Sequence, residues 1–298
     1  MKNPKVAIVI ATYNQEKLLV ECLKSLEKTN YKNYRIFFVD DTGRGIGKDI
    51  AKRFNVELIT TKGRSGQTGV WNAGIKKALE WGFDYVLLLD DDMEFPDKDW
   101  LIKVVGLAES DNEIGMVGCN LIYPDGRPQN SRGYIKGWKI TNERGHEKDP
   151  IEVDHIVGCF MLIKRSVIDK VGLVDEIYNP YLLEETDYCL RVKKSGFKIF
   201  SAPYVDVKHK KHGTISTIPN PEKRFVRFKN DIIFSRRHFN FTERLFRFGI
   251  YLPMVAIFRK QRDEDDLELK NFSLRKEFII NLWMLVKAFR YVKENRLK

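Results

Sequence analysis

Three consecutive carboxylates, Asp90, Asp91 and Asp92, follow directly on the apolar run from Tyr85 to Leu89. An apolar run that short, bounded by charge, reads as a strand buried on both faces. Like charges so close raise one another's pKa and cost stability unless a cation compensates them. On this stretch alone, a solvated acidic turn is the plain alternative. Asp40 and Asp41 end another apolar run, and Glu184, Glu185 and Asp187 crowd the start of a helical pattern. That last cluster also has a structural explanation, because acids suit a helix N-terminus on dipole grounds. His209 and His212 follow a late strand pattern. Three or more oxygen donors suit Mg2+ or Mn2+, and an added imidazole favours Mn2+. No Cys/His spacing suits structural zinc, no GxxxxGK(S/T) loop is present, and "GRGIG" at 43–47 does not fit GxGxxG. A divalent cation at the end of an α/β sheet without such a loop often serves a nucleoside diphosphate, neutralising the phosphates as they leave.

The elements that position these groups alternate from the start. Residues 5–11 read as a β-branched strand. A helical face of Leu18, Leu19, Cys22, Leu23 and Leu26 follows, with Asn14 placed to cap it. Strands are expected at 34–40 and 56–60. A helix over 68–82 buries Trp71, Ile75, Ala78 and Leu79, and the acidic strand and a helix at 99–110 come next. This alternation means a parallel sheet covered by helices on both sides, with ligands at the carboxyl ends of the strands. Asp40-Asp41 and Asp90-Asp92 both lie at such ends, which favours the functional reading of the triple carboxylate. "IYPDGRP" at 122–128 is a turn by its chemistry, and the polar stretch to about Pro150 reads as hairpin and loop. Then come a strand at 153–164, a short helix at 165–172, a helix at 184–196, and strands at 197–202 and 204–209. Beyond residue 215 the pattern is helical and basic, with an acidic link at 261–268.

The totals are those of a globular chain. Of 298 residues, 43% are hydrophobic and 31% charged, enough for one large α/β domain with an appendage or for two modest domains. Lys and Arg number 52 against 41 Asp and Glu, a net charge of +11 that favours anionic partners. Four scattered cysteines without a CxxC pair fit a reduced, cytosolic setting. The N-terminus reads as a strand rather than a signal peptide, and no apolar stretch reaches the roughly 18 residues of a spanning helix.

The stretches "VAIVIATYN", "FFVDD", "LLLDDDMEFP", "GCFMLIKRSVIDKVGLVDE" and "YLLEETDYCLRVKKSGFKIFSAPYVDVKH", in this order, resemble the motifs of glycosyltransferase family 2. The likeness covers about residues 4–240 and is strongest to its rhamnosyltransferase-like branch, where a helix like "RFKNDIIFSRRH" also follows the last strand. The resemblance implies a GT-A fold: a Rossmann-like, mainly parallel sheet flanked by helices over 1–215, with a C-terminal helical extension over 216–298. It implies an inverting transferase that uses a nucleoside-diphosphate sugar and Mn2+ or Mg2+. By the same resemblance, Ala11 to Tyr13 and Asp41 would hold the nucleobase, Asp41 at its imide edge, while Arg64 and Asn72 would line the nucleotide and diphosphate. Asp90 and Asp92 form the Asp-x-Asp pair, with Asp91 among the donor-binding residues. Asp92 is the more direct metal ligand, Asp90 lies nearer the ribose and sugar, and His209 completes the metal site. The family's usual Glu-Asp-x-Asp is Glu184-Glu185-Thr186-Asp187 here, so Glu185 stands where an aspartate base is expected. Asp187 is then a helix-capping or acceptor-binding acid.

Two other functions compete. A sugar nucleotidyltransferase would want a Gly-rich, basic N-terminal loop, which "ATYNQEK" is not. A non-catalytic binding protein on the same scaffold, or a basic nucleic-acid binder, is the third. The basic residues, however, crowd the last third among Phe and Leu and form no RNA-binding motif, so no nucleic-acid partner is expected. Helical segments at 248–258 and 278–286 are too short to span, yet aromatic and flanked by Arg and Lys, as interfacial helices are. They point to an anionic membrane surface on the cytoplasmic side and a glycan or lipid-linked acceptor. Packing on the catalytic domain is the alternative.

Overall fold

Alternating burial in the first strand already divides the core in two. In the computed structural model, which describes residues 3–45, 47–145, 147–210, 220–258, 274–295 and 297, Val6, Ile8 and Ile10 lie in one apolar cluster and Ala7 and Val9 in another. The elements run β1 (Val6–Thr12), α1 (Glu16–Leu26), β2 (Tyr34–Asp40), α2 (Lys48–Phe54), β3 (Glu57–Thr60), α3 (Gly66–Glu80), β4 (Tyr85–Asp90), β5 (Met93–Glu94), α4 (Trp100–Ser110), β6 (Ile114–Ile122), β7 (Asn130–Lys136), β8 (Lys139–Arg144), β9 (Ile151–Glu152), β10 (His155–Ile156), β11 (Phe160–Lys164), α5 (Arg165–Val171), α6 (Glu184–Lys194) and β12 (Lys198–His209).

The main sheet has the order β3-β2-β1-β4-β11-β6-β12-β5, with β9 on β12. It is parallel through β3-β2-β1-β4 and between β6 and β12, and β11 runs antiparallel between β4 and β6. Leu19, Cys22 and Leu23 of α1 and Trp100, Leu101 and Val104 of α4 cover one face. Trp71 and Ile75 of α3 and Tyr188, Cys189 and Val192 of α6 cover the other. Helices therefore flank both sides of a mostly parallel sheet, and β4 is buried on both faces, as its unbroken Val/Leu run requires.

The structure departs from the sequence reading of the elements at several points. Nine-residue β6 and seven-residue α2 had not been assigned. The run 153–164 is two strands, because β10 pairs with β7 in a separate three-stranded sheet while β11 joins the main one. The strands at 197–202 and 204–209 are one strand, β12, with a register shift between Ala202 and Asp206. Asn14 does not cap α1: it has a left-handed backbone (φ 57°), Gln15 is the residue before the helix, and the Asn14 side chain accepts from Arg44.

By its contacts the chain divides into two compact units, residues 1–135 with 140–214, and residues 136–139 with 215–298. The second unit holds α7 (Asn220–His238), α8 (Phe241–Phe246), a π-helical turn (Arg247–Tyr251), α9 (Leu252–Phe258) and α10 (Leu274–Glu294). Within it the buried Arg247 pairs with Asp231 through two nitrogens, at 2.6 and 2.9 Å. The expected acidic link at 261–268 and His212 lie outside the described residues.

Candidate active site

Parallel register brings the candidate acids to one edge of the sheet. Ala11 is paired with Asp90, and Thr12 with Asp40. The Thr12 hydroxyl donates to Asp91 in a short hydrogen bond. The chain then turns through Asp92, which is buried, into β5, where Met93 is paired with His209 at the end of β12. His209 Nε2 lies 3.4 Å from Asp92 Oδ1. Carboxylates and imidazole thus come from two distant stretches and meet at the end of β4.

Gln129 orients the histidine. Its Nε2 donates to the His209 carbonyl at 2.7 Å, so its Oε1, 3.0 Å from Nδ1, must accept from that nitrogen. Nδ1 is thereby engaged by Gln129, which leaves Nε2, on the side of Asp92, as the nitrogen that could coordinate a metal. Cys159 adds a thiol that had not been foreseen: ligand atoms of Asp90, Cys159 and His209 all lie within 4.8 Å of one another. The Asp90 N–H donates to the Cys159 carbonyl at 3.2 Å, which fixes the two side by side. Gln67, in the first turn of α3, reaches Asp90 at 3.4 Å.

The protein alone leaves this negative charge poorly compensated. Burial and the charges of Asp92 and Asp91 push Asp90 up to about 8. Burial raises Asp91 to about 7 against the lowering effect of its Thr12 hydrogen bond, with Asp92 adding to the rise. Burial, with Asp90 beside it, raises the Cys159 thiol. Hard carboxylate oxygens, one oriented imidazole and uncompensated charge form a donor set that fits a divalent cation.

On α6 the structure separates three acids that adjoin in sequence. Leu182 and Leu183 both have left-handed backbone (φ 84° and 71°) and swing the chain into the helix. Glu184 is buried and Glu185 half-buried. Burial raises both carboxyls, Glu184 further by Glu185 and Asp90, while the charge of Glu185 acts in turn on Asp90. Both glutamates therefore border the Asp90 region electrostatically. Burial thus opposes the ionised form that a helix N-terminus favours. Asp187, expected to cap the helix or meet the acceptor, is fully buried with both oxygens engaged. Tyr178 donates to Oδ1 at 3.0 Å, and Arg191 pairs with Oδ2 at 2.9 Å. It ties α6 to the preceding loop and is not a free acid.

The residues expected along the donor divide in the same way. Tyr13 is half-buried just past β1, and Arg64 is exposed in the loop before α3 with φ 54°. Asp41 is buried and accepts from the Thr61 hydroxyl at 2.5 Å and the Ser65 N–H at 3.0 Å, holding that loop in place. Asn72 is also buried. Its Nδ2 donates to Val174 and Glu176, and its Oδ1 accepts from the Val174 N–H. Its amide pins the 174–176 loop instead of lining an open diphosphate site. Gly66 completes this support: its φ is +72°, and a Cβ there would come within 2.4 Å of Asn179 Oδ1.

The family model for glycosyl transferase family 2 matches residues 7–172, more than half of the chain. The chain belongs to glycosyl transferase family 2. The matched span contains Asp90–Asp92 and Cys159 and ends before α6 and β12. Among curated relatives, the uncharacterized protein y4gI of Sinorhizobium fredii is 26% identical over 86% of this chain, which spans 30% of that protein's length. The low-salt glycan biosynthesis hexosyltransferase Agl10 of Haloferax volcanii is 22% identical, with 79% of this chain and 76% of Agl10 covered. The dTDP-rhamnosyl transferase RfbF of Shigella flexneri is 23% identical, with 79% and 81% covered. Solved structures agree on a GT-A fold. The mannosyltransferase PcManGT of Pyrobaculum calidifontis, in complex with GDP-Man and Mn2+, superposes at TM-score 0.57 with 15% identity, covering 99% of this chain and 75% of that one. GalNAc-T7 with UDP, GalNAc and Mn2+ superposes at 0.67 with 17% identity, covering 99% and 58%. Family membership thus rests on the sequence match, and the structural neighbours add the GT-A fold.

Proposed function

We infer that this family 2 enzyme transfers a sugar, with inversion, from a nucleoside-diphosphate sugar to a hydroxyl of a glycan or lipid-linked acceptor. The observation that carries this is the meeting of Asp90, Asp91 and Asp92 with His209 at the end of β4, beside two raised glutamates. Asp90, Asp92 and His209 would hold Mn2+ or Mg2+, which when bound neutralises the diphosphate. The Mn2+ named with the two structural neighbours supports the same assignment. Ala11, Tyr13 and Arg64 border the nucleotide, with Asp41 shaping the loop beside it.

Glu185 takes the acceptor proton. The acceptor oxygen then bonds to the anomeric carbon from the face opposite the diphosphate, whose bond to that carbon breaks in the same displacement. A carboxyl raised toward neutral pH by burial is a better-matched proton acceptor than an exposed one. Glu184, more buried and without a hydrogen bond to Oε2, borders the same region and sets the local charge.

The second unit supports attachment to an anionic membrane. Residues 216–298 carry 19 Lys and Arg against 10 Asp and Glu, most of the chain's positive excess. Phe241, Leu245, Ile250 and Met254 are exposed, as are Ile279, Leu282, Trp283 and Val286 on α10. The π-helical turn inserts one extra residue, so the four-residue spacing from 241 to 245 and from 250 to 254 stays on one exposed stripe. None of the described helices is long and apolar enough to cross a membrane, whereas exposed apolar stripes among basic residues suit lying in its interface. Four free thiols fit the inner, reducing face.

The central test is binding. Thermal shift of the full chain against nucleoside diphosphates with and without Mn2+ should show metal-dependent stabilisation that Asp92→Ala abolishes. Unchanged diphosphate affinity in that variant, with and without EDTA, would overturn the assignment.

A further inference from the structure

We propose that Cys159 makes the same centre a site for thiophilic cations, so that Asp90, Cys159 and His209 bind Zn2+ or Cd2+ in competition with the harder ion. This rests on the reading of Asp90, Asp92 and His209 as the cation site, and it adds a ligand and a second class of metal to it. The three donor atoms come from three strands or strand ends yet lie within 4.8 Å of one another. Three atoms at that separation have a common point about 2.8 Å from each, against about 2.0–2.3 Å for zinc bound to nitrogen and sulfur. Movements of roughly 0.5–0.8 Å close the site around an ion of that kind.

The supports of each ligand are already built. Cys159 leads into β11, whose Phe160 pairs with Leu89, and its carbonyl accepts from Asp90 N–H, so thiol and carboxylate cannot drift apart. Gln129 keeps the proton of His209 on Nδ1 and leaves Nε2 as the donor. One sulfur, one nitrogen and one carboxylate oxygen match the borderline-soft ions, whereas Mg2+ and Mn2+ prefer oxygen. Binding forms a metal–sulfur bond, and the thiol proton passes to the buffer; nothing is oxidised or reduced. An ion held by sulfur and nitrogen has fewer positions left for diphosphate oxygens, so it acts as an inhibitor.

Without metal, Cys159 is also a small apolar member of the cluster that includes Phe160, Leu89 and Cys119. Cys159→Ala keeps that packing and removes the ligand, and Cys159→Ser keeps the size and makes the ligand hard. The test titrates the full chain with Cd2+ and follows the ultraviolet sulfur-to-metal charge-transfer band, with Mn2+ affinity measured in parallel. The band should appear in the wild type and be lost in both variants. Cd2+ affinity should fall in them by at least about tenfold, since even outer-shell partners of a metal ligand are worth 10–100-fold. Mn2+ affinity should stay within about twofold. Cys22, Cys119 and Cys189 remain in both variants, so a band that survives, with Cd2+ affinity unchanged, overturns the proposal. Failure of Mn2+ to bind the wild type would instead overturn the underlying reading of the site, which the Cd2+ arm does not decide.

Discussion

Gln129 is the residue on which the proposed metal site depends without touching the metal. Replacing it with Leu removes the 2.7 Å bond to the His209 carbonyl and the 3.0 Å bond at Nδ1, with a side chain of similar volume. A neutral hydrogen bond nets about 0.5–1.5 kcal/mol, so the pair holds the imidazole by about 1–3 kcal/mol. At about 1.4 kcal/mol per decade, that corresponds to a loss of roughly 5–150-fold in Mn2+ affinity. The range for outer-shell partners of metal-bound histidines, about 10–100-fold, falls inside it. Gln129→Glu separates orientation from packing: a carboxylate still accepts from Nδ1–H but cannot donate to the carbonyl. That variant should keep Mn2+ affinity within a few-fold while melting at a lower temperature. Calorimetric or paramagnetic-resonance titration of Mn2+ into the three proteins decides the matter. Wild-type affinity in Gln129→Leu would refute the claim that the amide sets the tautomer, and so would equal losses in Leu and Glu.

Glu185→Gln should leave donor binding intact and slow transfer by about 10²–10⁴-fold, the range for removing a general base. Asp187→Asn should instead lower stability by about 1–3 kcal/mol by weakening its bonds to Tyr178 and Arg191, with transfer per folded molecule little changed. The reverse pattern would exchange their roles. His155 is held below its ordinary value by burial, against the raising effects of its Thr141 hydrogen bond and Asp154. Its contribution to stability is therefore full above the unfolded value of 6.5 and is lost as pH falls toward the lower folded value. Denaturant melts between pH 5 and 8 should show a shallower acid limb for His155→Gln, and identical slopes would refute this. Flotation with anionic vesicles at low salt should capture the full chain and not a chain ending near residue 240. Absence of both from the lipid fraction would end the membrane reading.

The strand-end acids were legible because they depend on pattern: an unbroken Val/Leu run has to be a strand buried on both faces, and its end is where parallel sheets bind ligands. Burial of a specific carboxylate is not a pattern. The dipole at the first turn of α6 is worth about 0.3–1 kcal/mol, whereas burial can shift a carboxyl by several pKa units, so the dipole alone does not give the direction of the shift at Glu184 and Glu185. Asp187 was misread for a related reason. Arg191 lies at the i+4 spacing and could have been read as its partner, whereas Tyr178 reaches it from a turn whose position no periodicity reveals. Gln129 sits in a polar stretch where nothing distinguishes it from its neighbours until β12 is beside it.

The position of His209 shows most clearly what a linear reading lacks. Ala202 is paired with Cys119 and Asp206 with Asn120, so β12 carries three more residues than β6 between those pairs. An odd insertion exchanges the two faces of a strand. Before the shift Ile199 belongs to the cluster under α3 and α6, and Ala202 to the one under α1 and α4. Within the shift Val205, and after it Val207, both odd-numbered, join Ala202's cluster. His209 continues that odd series, and this brings it to Met93 and Asp92. Without the irregularity it would follow Ile199 to the opposite face. Pro203 lies within that irregularity, inside one strand. The histidine of the proposed metal site therefore depends on a local departure from strand periodicity, which alternation along the sequence cannot predict.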